Sequence, residues 1–190
     1  MSKIYTEKDR QYFEVPADEL AQRLLGKILC RRLSDDTILR FRLTQTEAYG
    51  DRDGRKDSAC HANKYKKGNA VITQRMPGGT IYVHYKNNGY PGSSFDIVAG
   101  KSGEVQSVLI RGAVELSTGK QCDKIRLLGA ALHIDYEKLN QTSILASEEI
   151  WLEDDGFNTV GKIKKDMRIR LGKYVEEEDR VALRRYILSI

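Results

Sequence analysis

Cysteine and histidine are scarce in this chain of 190 residues, and their spacing excludes several kinds of site. The three cysteines, Cys30, Cys60 and Cys122, are far apart and odd in number, and no CxxC pair occurs. This pattern favours neither a disulfide framework nor a zinc or iron–sulfur site, and a reducing cytoplasm is expected. No two of the three histidines stand at ligand spacing, so we expect no metal and no other cofactor.

Long apolar runs are also missing. No hydrophobic stretch approaches the ~20 residues that a membrane-spanning helix needs. The first ten residues lack the apolar segment of a secretory signal, and no repeat or linker is visible. With 40% hydrophobic and 31% charged residues, the composition indicates one soluble globular domain over residues 1–190. We expect a cytoplasmic protein, associated with the nucleoid if the cell is bacterial.

Positive charge is in excess and unevenly placed. The net charge is +5 and the pI is near 9.0. One basic cluster comprises Arg55, Lys56, Lys64, Lys66, Lys67 and Arg75, with Asp57 as its acid. A second comprises Lys162, Lys164, Lys165, Arg168, Arg170 and Lys173. Two such clusters suit a polyanion such as nucleic acid, although solvated loops would give the same composition.

Hydrophobic periodicity predicts an α+β fold. Helices are predicted over 15–26 and 123–134, with core stripes of Leu20, Leu24 and Leu25 and of Ile125, Leu128 and Leu132. Strands are predicted over 27–33, 38–49, 80–85, 95–99, 105–114 and 163–171. Segments 144–153 and 181–190 suit either a helix or a strand, and 50–79 reads as a long functional loop. The pattern predicts a curved, mostly antiparallel β-sheet with peripheral helices.

A carboxylate lies near the end of the strand predicted over 38–49. Alternation of side chains places Glu47 and Tyr49 on one face of the strand. This face continues the apolar face formed by Phe41 and Leu43. Glu47 would then face inward and be desolvated. Such a group is either a structural acid or a catalytic one, and this strand alone does not separate the two.

Several motifs together resemble the alkyladenine (3-methyladenine) DNA glycosylase family. They are LAQRLLGKILCRRL at 20–33, TEAYG at 46–50, ACHAN at 59–63, PGGTIYV at 77–83, VLIRGAVE at 108–115, and the closing RIRLG and EEEDRVALRRYIL. Their order and spacing are more specific than any one of them. The resemblance implies a monomeric, monofunctional enzyme of base excision repair. Such an enzyme flips alkylated or deaminated purines out of double-stranded DNA and hydrolyses the N-glycosidic bond, leaving an abasic site.

The resemblance also implies roles for individual residues. Glu47 matches the general base that activates water, and Arg111 matches the arginine that helps to orient that water. Tyr49 and His61 match walls of the base pocket. The alternatives are an ordinary core tyrosine at Tyr49 and a surface strand arginine at Arg111.

Two positions depart from the family pattern inside the pocket. His84 stands where a second stacking tyrosine is usual, and Asp96 stands where asparagine is common. An ionised Asp96 would accept hydrogen bonds without donating them, whereas a protonated one would behave more like asparagine.

The DNA-binding surface is predicted from the basic clusters and from the resemblance. Phosphate contacts are expected from Lys64, Lys66, Lys67 and Arg75. The family inserts an aromatic side chain into the gap left by the flipped nucleotide, and the aligned segment here contains Asn87, Asn88 and Tyr90. The asparagines are poor wedges, and Tyr90 would serve if the hairpin shifts.

Other functions fit the sequence less well. A zinc nucleobase deaminase needs H-x-E and P-C-x-x-C, which are missing, and no hairpin between helices suggests the helix–hairpin–helix class. No lysine stands beside Glu47 in sequence, which disfavours strand cleavage through a Schiff base. The main alternative is a family relative that binds lesions with weak or no excision, and a metabolic hydrolase built on Glu47 is a weaker one.

Overall fold

The computed structural model describes residues 2–84 and 93–190. Within them, antiparallel strands form one curled sheet. The strands are β1 (Lys3–Ile4), β2 (Ile28–Arg32), β3 (Ile38–Gly50), β4 (Ile81–Val83), β5 (Phe95–Val98), β6 (Gln106–Glu115), β7 (Gln121–Cys122), β8 (Ile150–Asp154), β9 (Ile163–Asp166) and β10 (Arg185–Leu188). The main path through the sheet runs β1-β8-β2-β3-β6-β5-β4; β10 pairs with β3 and β9, and β7 pairs with β6.

Short helices surround this sheet. A 3₁₀-helix spans Glu7–Tyr12, and the α-helices are α1 (Ala17–Leu24), α2 (His61–Lys64), α3 (Asn69–Thr73), α4 (Ile125–Ala131), α5 (Tyr136–Leu139) and α6 (Glu177–Val181). The sheet curls into a half-barrel, so the predicted α+β fold with a curved antiparallel sheet is confirmed.

Helix α1 seals one face of the sheet. Leu20, Leu24 and Leu25 are at most 1% exposed, as their spacing predicted. Each such side chain contributes roughly 1.5–3 kcal/mol through burial of apolar surface. The helix begins after Pro16, whose fixed φ suits a helix start, and carries Asp18 and Glu19 in its first turn. The main core therefore lies between α1 and the central strands.

Several predicted elements differ from the structure in extent or kind. The loop predicted over 50–79 contains α2 and α3, and the ambiguous segments resolve into strands β8 and β10. The strand predicted over 163–171 ends at Asp166, so the residues that follow leave the sheet. In α4, Leu128 is fully buried, whereas Ile125 is only half-buried and does not belong to the core.

The prediction that Glu47 shares the face of Phe41 and Leu43 is wrong. The register between β3 and β6 shifts twice between Leu43 and Thr46, where Thr44 of β3 and Arg111 of β6 are passed over in the pairing. Extra residues of this kind reverse the alternation of side chains beyond them. Thr46 therefore faces α1, where its hydroxyl donates to the Ala21 carbonyl at 2.8 Å, and Glu47 turns to the opposite face.

A buried ion cluster joins the end of β3 to the C-terminal segment. Arg168 donates to both oxygens of Asp57 at 2.6 and 3.0 Å, and Arg184 donates to one of them at 2.9 Å. The backbone amide of Gly50 also donates to Asp57, at 3.0 Å, and Arg184 bonds Asp18 of α1 at 2.8 Å. Burial opposes the charge of Arg168, but its bonds to Asp57 raise the pKa of its guanidinium.

The Asp57→Asn variant should lower the free energy of unfolding by roughly 3–5 kcal/mol, because it leaves two buried arginines without their shared carboxylate. Urea denaturation followed by circular dichroism measures the change. Asp36→Asn is the matched control, since Asp36 is an exposed turn residue with one weak ion pair, and its variant should unfold like the wild type. Equal stability of Asp57→Asn and wild type would contradict the structural role of the cluster.

Candidate active site

The carboxylate of Glu47 is fully buried and held by three donors. The Tyr49 hydroxyl donates to Oε2 at 2.9 Å, and Arg111 Nη1 lies 3.3 Å from the same oxygen. The backbone amide of Ile169 donates to Oε1 at 3.0 Å. These donors come from β3, β6 and the segment after β9, so Glu47 is fixed where three parts of the chain meet.

Tyr49 lies beside Glu47 on the same face, as predicted from their spacing. Burial and the adjacent carboxylate raise the pKa of Tyr49 well above its usual value, so the hydroxyl keeps its proton and remains a donor. The guanidinium of Arg168 lies 4.8 Å from the centre of the tyrosine ring. The ring is thereby fixed from one side by the buried ion cluster.

A pocket of about 180 Å³ opens next to this carboxylate. Its volume is below the roughly 300–1,000 Å³ of drug-sized sites, so it suits a small ring system. The predicted residues Tyr49, His61, His84, Asp96 and Arg111 all line it. The structure therefore brings these side chains together around one cavity, with Glu47 immediately behind Tyr49 and Arg111.

Aromatic and imidazole rings form one wall of the pocket. His84 stacks on Tyr82 with centroids 4.6 Å apart and an angle of 30° between the planes. The His61 ring lies 5.3 Å from His84, and its Nδ1 is 3.3 Å from the Tyr82 hydroxyl. Burial and the neighbouring His84 lower the pKa of His61, which favours a neutral imidazole there. Flat, neutral rings of this kind can stack on a heterocycle.

Asp96 forms the floor of the pocket and is 2% exposed. Its Oδ1 lies 2.8 Å from His84 Nε2, and its Oδ2 accepts a hydrogen bond from the Ser107 hydroxyl at 2.7 Å. Gln74 in turn donates to Ser107 at 2.6 Å and accepts from the backbone amide of Ala62 at 2.9 Å. The floor is thus a connected network of polar side chains.

Sequence reasoning missed several lining residues. Leu109 lines the pocket and Ser107 bonds Asp96, and both alternate along β6 with the predicted Arg111, so the spacing itself could have indicated their shared face. Gln74 lies in the 50–79 segment, where no periodic pattern indicated that its side chain would reach the pocket. The irregular stretch after β9 adds Ile169 and Tyr174, whose approach to the pocket depends on the buried ion cluster rather than on any local pattern.

The predicted basic clusters are only partly free at the surface. Lys64 lies 3.9 Å from the centre of the Tyr174 ring at the pocket mouth. Lys66 and Lys67 are exposed nearby, and Arg75 is exposed with Nη1 bonded to the Gly103 carbonyl at 3.2 Å.

Two arginines of these clusters are committed to internal ion pairs. Arg168 is buried against Asp57, and Arg55 pairs with Glu178 and Asp179 at 2.9 and 2.6 Å. Contrary to what the sequence suggested, these two positive charges are therefore not available to attract a polyanion at the surface.

The predicted wedge segment with Asn87, Asn88 and Tyr90 lies outside the described residues. Elsewhere, over 2–84 and 93–190, no group of three or more His, Cys, Asp or Glu side chains could hold a metal ion. No helix in that part of the chain is long and apolar enough to cross a membrane.

Comparison with known proteins gives a consistent result. The profile of the methylpurine-DNA glycosylase family matches residues 11–189. A protein of Borreliella afzelii, provisionally named 3-methyladenine DNA glycosylase, is 30% identical over 186 residues, which cover 95% of each chain. A Chlorobium luteolum protein with the same provisional name is 36% identical over 117 residues, which cover 62% of this chain and 56% of that protein.

A mammalian relative is similar over a shorter stretch. The DNA-3-methyladenine glycosylase of Rattus norvegicus is 40% identical over 74 residues, which cover 39% of this chain and 22% of the rat protein. The family match extends over nearly the whole chain and includes every residue that lines the pocket. The chain therefore belongs to the methylpurine-DNA glycosylase family and is a DNA glycosylase of base excision repair.

Proposed function

We propose that this chain is a monofunctional glycosylase, acting as a monomer and as one domain, that flips alkylated or deaminated purines out of double-stranded DNA. Hydrolysis of the N-glycosidic bond then leaves an abasic site. The observation that carries the proposal is the placement of Glu47. Three donors fix this buried carboxylate beside a ring-lined pocket of suitable size.

Glu47 acts as the general base. Its carboxylate takes a proton from a water molecule that attacks the sugar C1′, and its negative charge stabilises the positive charge that develops on the sugar. Donors on both oxygens hold it in one orientation, so little reorganisation is needed during the reaction. Hydrolysis by water, rather than attack by an amine, keeps the DNA strand intact.

Arg111 supports the same step. One terminal nitrogen contacts Glu47, while Nε is buried and has no hydrogen-bond partner among the described residues. We assign this N–H to the water or the sugar-phosphate of the flipped nucleotide. The rings of Tyr49, His61 and His84 receive the base by stacking.

Lysine has no covalent role in this reaction. A strand-cleaving glycosylase needs an amine that attacks C1′ and forms a Schiff base. Within the described part of the chain, the polar partners of Glu47 are Tyr49, Arg111 and the Ile169 amide. This set favours water as the nucleophile and a product strand that is cut only by later treatment with alkali.

The Glu47→Gln variant should lose excision by at least about 100-fold while keeping its affinity for lesion DNA, because an amide cannot accept the proton from water. Single-turnover release of base from duplexes with 7-methylguanine, hypoxanthine or 1,N6-ethenoadenine measures the effect. The wild-type product strand should remain uncut until alkali is added. Near-wild-type turnover by the variant would refute the general-base role, and tight binding without release by the wild type would indicate the lesion-binding alternative.

The Tyr49→Phe variant should slow excision about 10–100-fold, because it removes one hydrogen bond to a charged carboxylate and keeps the stacking ring. The measurement is the single-turnover rate on the best lesion, with lesion affinity as a second reading that should change little. Tyr12→Phe is the matched control: it removes a hydroxyl that donates to the Arg23 carbonyl at 2.6 Å, away from the site. Equal slowing in both variants would point to a general effect on the fold.

Charge reversal at Lys66 and Lys67 should weaken DNA binding without changing the preference among lesions. The slope of log affinity against log salt should become shallower by about 0.9 for each phosphate that the protein no longer neutralises. Fluorescence anisotropy with lesion and undamaged duplexes measures both quantities. Reversal of Arg32 and Lys120, which lie at the end of the sheet remote from Glu47, is the control and should leave the slope unchanged. A changed lesion preference would mean that the 66–67 segment lies in the pocket.

A further inference from the structure

The pocket floor carries a carboxylate that the proposed excision chemistry does not use. Asp96 is buried at this floor, on a different strand from Glu47, and its two oxygens have different partners. Oδ1 lies 2.8 Å from His84 Nε2, and Oδ2 accepts from Ser107 at 2.7 Å. A buried group with such defined partners is a candidate for reading whatever enters the pocket.

The direction of the hydrogen bonds makes Asp96 an acceptor. Gln74 donates its amide to Ser107 Oγ at 2.6 Å, and its own carbonyl oxygen is fixed by the Ala62 amide. Because Ser107 accepts from Gln74, its single proton points to Asp96 Oδ2. The network therefore delivers a donor to Asp96, whose Oδ2 is held as a hydrogen-bond acceptor.

Other buried carboxylates near the site have cationic partners. Glu47 is 3.3 Å from Arg111, and Asp57 is paired with both Arg168 and Arg184. Among the residues that the structure describes, Asp96 has no arginine or lysine partner, only the hydroxyl and an imidazole. Over residues 2–84 and 93–190, the floor thus presents a carboxylate with no arginine or lysine paired to it.

We propose that Asp96 is a specificity-determining residue, which selects purines with a positively charged ring over neutral lesions of the same shape. This inference rests on the proposed function, since it concerns the base held in the same pocket. A ring alkylated at N7 carries a full positive charge, and its attraction to a buried carboxylate is strong where water is excluded. A neutral base gains none of this attraction.

The charge of Asp96 acts on other groups around the pocket. Burial raises the pKa of Tyr82, and the negative charge of Asp96 adds to that increase. At His61, burial and His84 lower the pKa, while Asp96 opposes them. Tyr82 and His61 of the ring wall thus both lie within electrostatic reach of the Asp96 carboxylate.

The test compares two bases that differ in charge and little in shape. Two duplexes carry either 7-methylguanine or its neutral 7-deaza-7-methyl isostere, both on 2′-fluoro sugars that slow spontaneous base loss. The Glu47→Gln protein is used so that binding is read without excision. We expect the cationic base to be bound at least about tenfold more tightly than the isostere, a difference of about 1.4 kcal/mol.

In the double variant Glu47→Gln/Asp96→Asn, the ratio of the affinities for the cationic base and its neutral isostere should fall to near one. Addition of Asp36→Asn instead, the same chemical change on an exposed turn, should leave the ratio intact. Asp96→Ser, which is smaller and keeps a hydroxyl for His84, replaces Asp96→Asn if circular dichroism shows that the latter is unfolded. No preference in Glu47→Gln alone, or a preference that survives the loss of Asp96, would overturn the proposal.

Single-turnover excision by proteins with Glu47 intact separates this inference from the proposed function. The ratio of the excision rates of 7-methylguanine and hypoxanthine should be at least about tenfold lower in Asp96→Asn than in the wild type. The glycosidic bond of the cationic base is intrinsically more labile, but this lability is the same for both proteins and cancels when their ratios are compared. Failure of the wild type to release any base would contradict the proposed function. Release of bases with an unchanged ratio would contradict only the role of Asp96.

Discussion

The buried carboxylate of Asp57 holds together the parts of the chain that surround the site. Its two arginines come from the C-terminal quarter of the sequence, and its backbone donors come from the end of β3 and the following loop. Arg168 also lies against the ring of Tyr49, and the next residue, Ile169, donates to Glu47. Because a buried ion pair tolerates little displacement, this cluster fixes the position of the Glu47 carboxylate from a distance.

A second constraint is the irregular pairing of β3 with β6. Without the register shift near Thr44, Glu47 would point into the apolar core under α1. The shift turns Glu47 and Tyr49 to the open face, while Thr46 and Ala48 take their place on the core side. Arg111, the residue passed over in β6, projects to the same face and pairs with Glu47. A local defect in the sheet thereby separates the site from the main core.

Much of this arrangement could be predicted from the sequence, since periodicity locates most strands, the α1 stripe and the shared face of Glu47 and Tyr49. The register shift could not, because the run around Thr44 keeps the alternation of a regular strand. The network of Gln74, Ser107 and Asp96 joins residues distant in sequence, so local patterns do not reveal it. The basic clusters were overestimated, since composition does not distinguish an exposed arginine from Arg168.

The central claim is that Glu47, fixed by Tyr49, Arg111 and the Ile169 amide, activates a water molecule for attack on the sugar. A crystal structure of the protein with a duplex that carries a cationic pyrrolidine in place of the target sugar tests this directly. The predicted result is an ordered water within hydrogen-bond distance of Glu47 and next to the position of C1′. A lysine amine in that position, or a Glu47 carboxylate directed away from the pyrrolidine, would contradict the claim.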